Sequence, residues 1–130
     1  MQQQLWKVID FHQSFRQPYS KIPTLLPMEE CTLRHDLMKE ENVEYLIACG
    51  EGNITEIADA LGDQLYILLG TIIKHGMQDV IADVFREIHD SNMTKLGEDG
   101  LPILREDGKI LKGPNYKKPN IKQFFYNEHS

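Results

Sequence analysis

The chain has 130 residues, a length that suits one domain, and its 14 Lys and Arg against 20 Asp and Glu give a formal net charge of −6. That acidic balance excludes a general electrostatic attraction to nucleic acid, and no apolar run approaches the roughly 20 residues needed to span a bilayer. The hydrophobic share of 41% is slightly low for a compact domain, so oligomerisation could make up the shortfall by burying apolar helix faces between subunits.

In chain order, a first helix is predicted from Gln2 to Arg16, with Leu5, Val8, Ile9, His12 and Phe15 at helical spacing and Trp6 read as core. Pro18, Pro23 and Pro27 break the chain into a loop. A second helix starts near Met28 or Glu29, where acids favour the positive end of a helix, and runs to about Cys49 before Gly50 and Gly52. Asn53 with Glu56 forms a capping-box signal for a third helix that runs to His75 and stops at Gly76. A fourth helix spans Gln78 to Thr94 on an apolar stripe of Ile81, Val84, Phe85 and Ile88. Beyond Gly97, residues 101–105 and 109–112 flank an Asp107-Gly108 turn and predict a small hairpin, and the tail after Gly113 has little pattern. The expected fold class is all-α: a four-helix bundle with a short C-terminal hairpin or irregular tail, residues 1–96 forming the helical part and 97–130 the remainder. Cys31 and Cys49 are too few for a disulfide framework, and the opening MQQQLWKVID has no basic region leading into an apolar stretch. A cytoplasmic protein is therefore expected.

Acidic residues carry the chemistry. On the second helix Leu33, Leu37, Glu41, Glu44 and Ala48 share a side, because spacings of three and four residues fall on one face. A carboxylate on an apolar stripe is costly unless it is paired or holds a metal; the alternative is an ordinary exposed ExxE pair. On the third helix Asp59 and Asp63 share a face, with Ile54, Ile57, Leu61, Leu65, Leu68 and Ile72 opposite. The run Leu65 to Ile73 has no charge on any side, as in an interior helix, so Asp63 stands within one turn of a buried segment. Carboxylates gathered from two helices repel one another, and a divalent cation relieves that repulsion. An all-oxygen ligand set suits Mg²⁺ or Mn²⁺ rather than zinc, and the absence of a Glu-x-x-His pattern argues against a di-iron bundle. Asn92 and Lys95 continue the stripe of the fourth helix, where they either meet phosphate oxygens or fray into solvent.

Three segments in order, Glu40-Glu41-Asn42-Val43-Glu44, Asp59-Ala60-Leu61-Gly62-Asp63-Gln64-Leu65-Tyr66 and Glu87 through Lys95, resemble the MazG-like, all-α nucleoside triphosphate pyrophosphatase superfamily. The compact dUTP or general NTP pyrophosphatases are the nearer likeness, and phosphoribosyl-ATP pyrophosphohydrolase is a more distant one. The superfamily pattern is EExxE, then ExxD, then a downstream Asn and Lys. Glu40, Glu41, Glu44, Asp63, Asn92 and Lys95 match it, whereas Ala60 stands where the family has Glu and Asp59 is the neighbouring substitute. The resemblance implies Mg²⁺-dependent hydrolysis of a nucleoside triphosphate to the monophosphate and pyrophosphate. Glu41, Glu44, Asp59 and Asp63 would be metal ligands, Glu40 the general base, and Asn92 and Lys95 phosphate-binding residues. It also implies a homodimer or homotetramer and a base pocket built partly from the first helix, where Phe11 or His12 would touch the base. Lys112 and Tyr116 of the tail are further nucleotide-binding candidates. The competing readings are another nucleotide substrate on the same fold, or a non-catalytic helical module that senses nucleotide or binds a protein, which the departure at Ala60 favours.

Overall fold

A computed structural model describes residues 1–125; the last five residues of the predicted tail lie outside the described residues. Among these there are four α-helices, α1 (Gln2–Ser14), α2 (Met28–Glu51), α3 (Ile54–Lys74) and α4 (Ile81–Met93), followed by a short 3-10 turn at Ile121–Phe124. No strand forms among the described residues; a lone antiparallel bridge pairs Leu104 with Ile110, which is the predicted hairpin reduced to its minimum. The fold class is all-α, as expected. None of the described helices is long and apolar enough to cross a membrane. The chain divides into two compact units, residues 1–79 and the residues from 80 onward.

In the first unit α3 packs against both α2 and α1. The Asn53 side chain accepts a hydrogen bond from the Glu56 amide at 3.2 Å, satisfying one of the free donors at the start of α3. Gly52, at φ +65°, closes α2 in the left-handed conformation that glycine adopts without steric cost. The core is small: Leu5 and Val8 of α1, Ala48 of α2, and Ala60, Leu69 and Ile73 of α3.

Two expectations are corrected here. Trp6 is 61% exposed rather than core, because Leu5 and Val8 already hold the inward face of α1. The segment predicted to be buried all round is buried only in part. Leu69, Gly70 and Ile73 are covered where α1 and α2 both approach α3, whereas Leu65 and Leu68 remain 46% and 45% exposed, as does Leu61 one turn before the segment at 49%. Toward its N-terminus α3 has α2 as its neighbour, so its apolar residues there exceed what one packed face can cover.

The proline-rich loop between α1 and α2 is fastened to the end of α3. The Thr24 amide donates to the His75 carbonyl at 2.8 Å, and Lys74 Nζ donates to the Pro18 carbonyl at 2.6 Å. Gln78 Nε2 donates to the Ser20 carbonyl at 2.8 Å. Gln78 is therefore a buried anchor and not the first residue of a helix; α4 begins three residues later than predicted, at Ile81.

In the second unit, Glu87, Ser91 and Thr94 lie on one stripe of α4 and its cap, and each bonds the main chain of the C-terminal segment. Glu87 Oε1 accepts from the Asn120 amide at 2.9 Å, Ser91 Oγ donates to the Lys117 carbonyl at 2.7 Å, and Thr94 Oγ1 accepts from the Lys117 amide at 2.9 Å. Up to residue 125 the tail is thus ordered by specific bonds that its unpatterned sequence does not advertise.

Candidate metal and nucleotide site

Glu41 points inward from the middle of α2. It is half-buried, and its Oε2 is sealed from solvent without a hydrogen-bond partner among the described residues. Burial pushes its carboxyl up from 4.5 to about 7; a hydrogen bond shared with Glu44 and the negative charges of Glu44, Asp63 and Glu40 push in the same direction. Three predicted site residues, Glu40, Glu44 and Asp63, therefore act on the carboxyl of Glu41. Glu40 and Glu44 also line an open hollow with Asp36, Lys39 and Val43. Asp59 is exposed and shares a second hollow with Glu44, Glu51 and Glu56, whose floor includes Ala48 and Ala60. Ala60 is 3% exposed, so the position where the superfamily pattern has Glu is filled here by a methyl group packed at the α2–α3 junction.

Among the described residues no group of three or more acidic, histidine or cysteine side chains is arranged as a ready-made cation cage. The chemistry of the donor set nonetheless fits a hard divalent cation: an orphaned, buried carboxylate oxygen among like charges, with no imidazole or thiolate beside it. The raised carboxyl has a consequence for the metal-free fold. Between 4.5 and about 7 the folded protein keeps a proton that the unfolded chain has released, so this stabilisation is complete below 4.5 and is lost as the pH rises through 7. Thermal melts in chelator should therefore show a midpoint that falls from about pH 5 to about pH 8 on this account, a component absent from Glu41→Gln.

Beside the acids lies a pocket of about 360 Å³ between α1, α2 and α3, walled by Phe11, Phe15 and Tyr66, with Leu37, Ile67 and Gly70 deeper in. Phe11 and Tyr66 meet edge to face at 5.7 Å and 89°. Leu37 connects the pocket to the acids, since it precedes Glu41 by one helical turn. His12 is 5% exposed and its Nδ1 is held by a 2.9 Å bond to the Val8 carbonyl; it is both a core residue and part of the pocket wall.

Arg34 also lines this pocket, and sequence reasoning passed over it. The signal was present. Arg34, Leu37 and Glu41 follow one another at spacings of three and four, so a cation stands on the inward stripe that was assigned to Leu33. Leu33 is 56% exposed, and the stripe turns one residue further round than predicted.

Residues 8–92 match the phosphoribosyl-ATP pyrophosphohydrolase family. The chain belongs to that family. A crystal structure from Exiguobacterium sp. 255-15, of a protein provisionally named an NTP pyrophosphohydrolase, is 26% identical, with 92% of this chain and 90% of that one covered at a TM-score of 0.46. No protein of curated function matches the sequence significantly. The phosphoribosyl-ATP pyrophosphohydrolase family falls within the MazG-like superfamily that the three motifs resemble. Its match runs from α1 to Asn92 and so includes the acids of α2 and α3.

The remaining candidates of this pyrophosphohydrolase-family chain belong to the second unit. Asn92 is exposed near the end of α4, and its carbonyl accepts from the Lys95 amide at 3.1 Å. Lys112 Nζ lies 4.8 Å over the Tyr116 ring, a cation–π contact within the tail.

Proposed function

We propose that this protein hydrolyses a nucleoside triphosphate to the monophosphate and pyrophosphate with the help of Mg²⁺, or of Mn²⁺ in its place, in the housekeeping of a cytoplasmic nucleotide pool. The observation that carries the reading is Glu41: a sealed, partnerless carboxylate oxygen among other acids, one helical turn from an aromatic pocket. Glu41, Glu44 and Asp63, with Asp59 in support, would hold the cation. When bound, the metal supplies charge neutralisation for the phosphates and an oriented water. Glu40 neighbours the cluster and is exposed, which suits a general base that takes a proton from that water. Phe11 and His12 belong to the pocket proposed to take the nucleoside. Asn92 and Lys95 are carried over from the motif resemblance as phosphate-binding residues, and Lys112 and Tyr116 are tail residues proposed to close over the bound nucleotide.

The apolar residues that α2 and α3 leave exposed, Val43, Leu46, Ile47, Leu61 and Leu65 among them, support a second copy of the chain as partner. Sedimentation should return a dimer or tetramer, and a strict monomer would sink that part of the proposal. Ala60 favours the rival reading, a non-catalytic nucleotide-sensing module.

A panel of ribo- and deoxynucleoside triphosphates, dUTP and dCTP included, assayed for pyrophosphate with Mg²⁺ and again in excess chelator, decides between them. The proposal expects release from at least one triphosphate and none in chelator. Binding without release from any member would leave the sensing module.

A further inference from the structure

Among the polar side chains that line the aromatic pocket, Gln17 and Lys74 each donate to a main-chain carbonyl, of Phe15 and Pro18, and His12 and Arg34 form a complementary pair. The Val8 carbonyl can only accept, so the bond to it places the ring proton of His12 on Nδ1 and leaves Nε2 as an acceptor. No described residue donates a hydrogen bond to that Nε2. Arg34 supplies the opposite character. Its Nε donates to Thr71 Oγ1 at 3.0 Å and its Nη2 to the Ile67 carbonyl at 2.9 Å. A guanidinium has five N–H donors, so others remain for a ligand. No carboxylate pairs with Arg34 among the described residues, and its burial lowers its pKa.

Gly70 brings the two together. A Cβ at this position would lie 2.8 Å from Arg34 Nη2 and 3.3 Å from His12 Cε1, so the guanidinium and the imidazole edge converge over the glycine backbone. Glycine inside a helix costs about 1 kcal/mol relative to alanine. At position 70 the missing methyl is the space that Arg34 occupies.

A donor and an acceptor side by side, in a pocket with aromatic walls, match a planar ring whose edge carries an acceptor next to a donor. We infer that His12 and Arg34 read the keto-imide edge of a nucleobase, Arg34 donating to the ring carbonyl and the ring N–H donating to His12 Nε2. Uracil, thymine, guanine and hypoxanthine present that edge. Adenine and cytosine present the reverse, an amine donor beside a ring-nitrogen acceptor, which would set donor against donor and acceptor against acceptor. The position along α2 agrees. Arg34 precedes Glu41 by seven residues, about 10 Å along the helix axis, which suits the far edge of a nucleoside better than phosphates gathered at the acids. For its ligand class the inference rests on the proposed nucleotide reading.

Matched nucleosides test it without metal or turnover. Uridine against cytidine, and inosine against adenosine, differ chiefly at this edge. Binding to the full chain in chelator is measured by calorimetry or saturation-transfer NMR. The keto member of each pair should bind at least ~10-fold more tightly, the scale of one hydrogen bond to a charged group. Arg34→Met should level both pairs. Arg34→Lys keeps the cation and should retain part of the preference. Gly70→Ala displaces the guanidinium and should also level them, with circular dichroism confirming the helices. Equal binding within the pairs, tighter binding of the amine members, no binding at all, or an undiminished preference in folded Arg34→Met would each overturn the inference. Triphosphate hydrolysis without keto preference would remove the inference and leave the proposed function. Keto-selective nucleoside binding with no triphosphate hydrolysed would do the reverse.

Discussion

Glu41→Gln should lose at least ~100-fold of its pyrophosphate release while the metal-free protein becomes more stable at pH 8. The two effects have one cause. Glutamine has nearly the shape of glutamate and resembles its protonated form, so packing around position 41 is conserved. At pH 8 the wild-type carboxylate is ionised beside Glu44, Asp63 and Glu40, with one oxygen buried and partnerless. That arrangement is unfavourable for the fold and favourable for capturing a cation. Removing the charge relieves the fold and removes the ligand. Chelator melts at pH 8 beside a pyrophosphate assay in Mg²⁺ measure both at once. Turnover within about ten-fold of wild type would take Glu41 out of the metal site, and a lower melting midpoint would mean the carboxylate has a structural partner.

Gly76→Ala should be the most damaging single-methyl change in the first unit. Position 76 has φ +70°, where a side chain costs roughly 1–2 kcal/mol. The added Cβ would also fall 1.9 Å from the Ile22 carbonyl oxygen and 2.5 Å from its carbon, both main-chain atoms. The loop before α2 must move, which strains the bonds from Thr24 to His75 and from Gln78 to Ser20. A loss of about 2 kcal/mol or more is expected, on the order of 5–10 °C in melting midpoint. Gly52→Ala is the control. Its φ of +65° is equally left-handed, but nothing lies within 4 Å, so it should lose the conformational part alone. Because Phe15 and Gln17 of the same loop line the aromatic pocket, Gly76→Ala should also weaken nucleoside binding, whereas Gly52→Ala should not. Equal damage from the two would show that the Ile22 contact is easily relieved.

The helices could be read from the sequence because their signals are local: the Asn53 cap, the left-handed stop at Gly52, the prolines between α1 and α2. Helical spacing and charge pointed to Glu41, Glu44, Asp59 and Asp63 as one acidic group; Glu44 and Asp63, with Glu40, are the acids that act on Glu41, and Asp59 is not among them. What failed was rotation and partnership. A helical wheel could not tell Leu33 from Arg34 as the inward residue, because the decision belongs to Thr71 and the Ile67 carbonyl on α3, to which Arg34 donates. The same limit misjudged Leu65 and Leu68, whose exposure depends on where neighbouring helices run. The start of α4 was misplaced because Gln78 is held by the Ser20 carbonyl, far away in the chain. The aromatic pocket draws residues from three helices and the first loop, so no single stretch of sequence announces it.

The stripe of Glu87, Ser91 and Thr94 gives the two units different thermodynamic character. Residues 1–79 are held largely by apolar burial, whose loss on unfolding raises the heat capacity and sets the denaturant slope. The C-terminal segment is held to α4 by main-chain bonds to three polar side chains and by the 3-10 turn, whose Ile121 and Phe124 are half-buried. Among the described residues, all the fully buried apolar side chains lie in residues 1–79, so a calorimetric or urea curve on the whole chain is weighted toward the N-terminal helices.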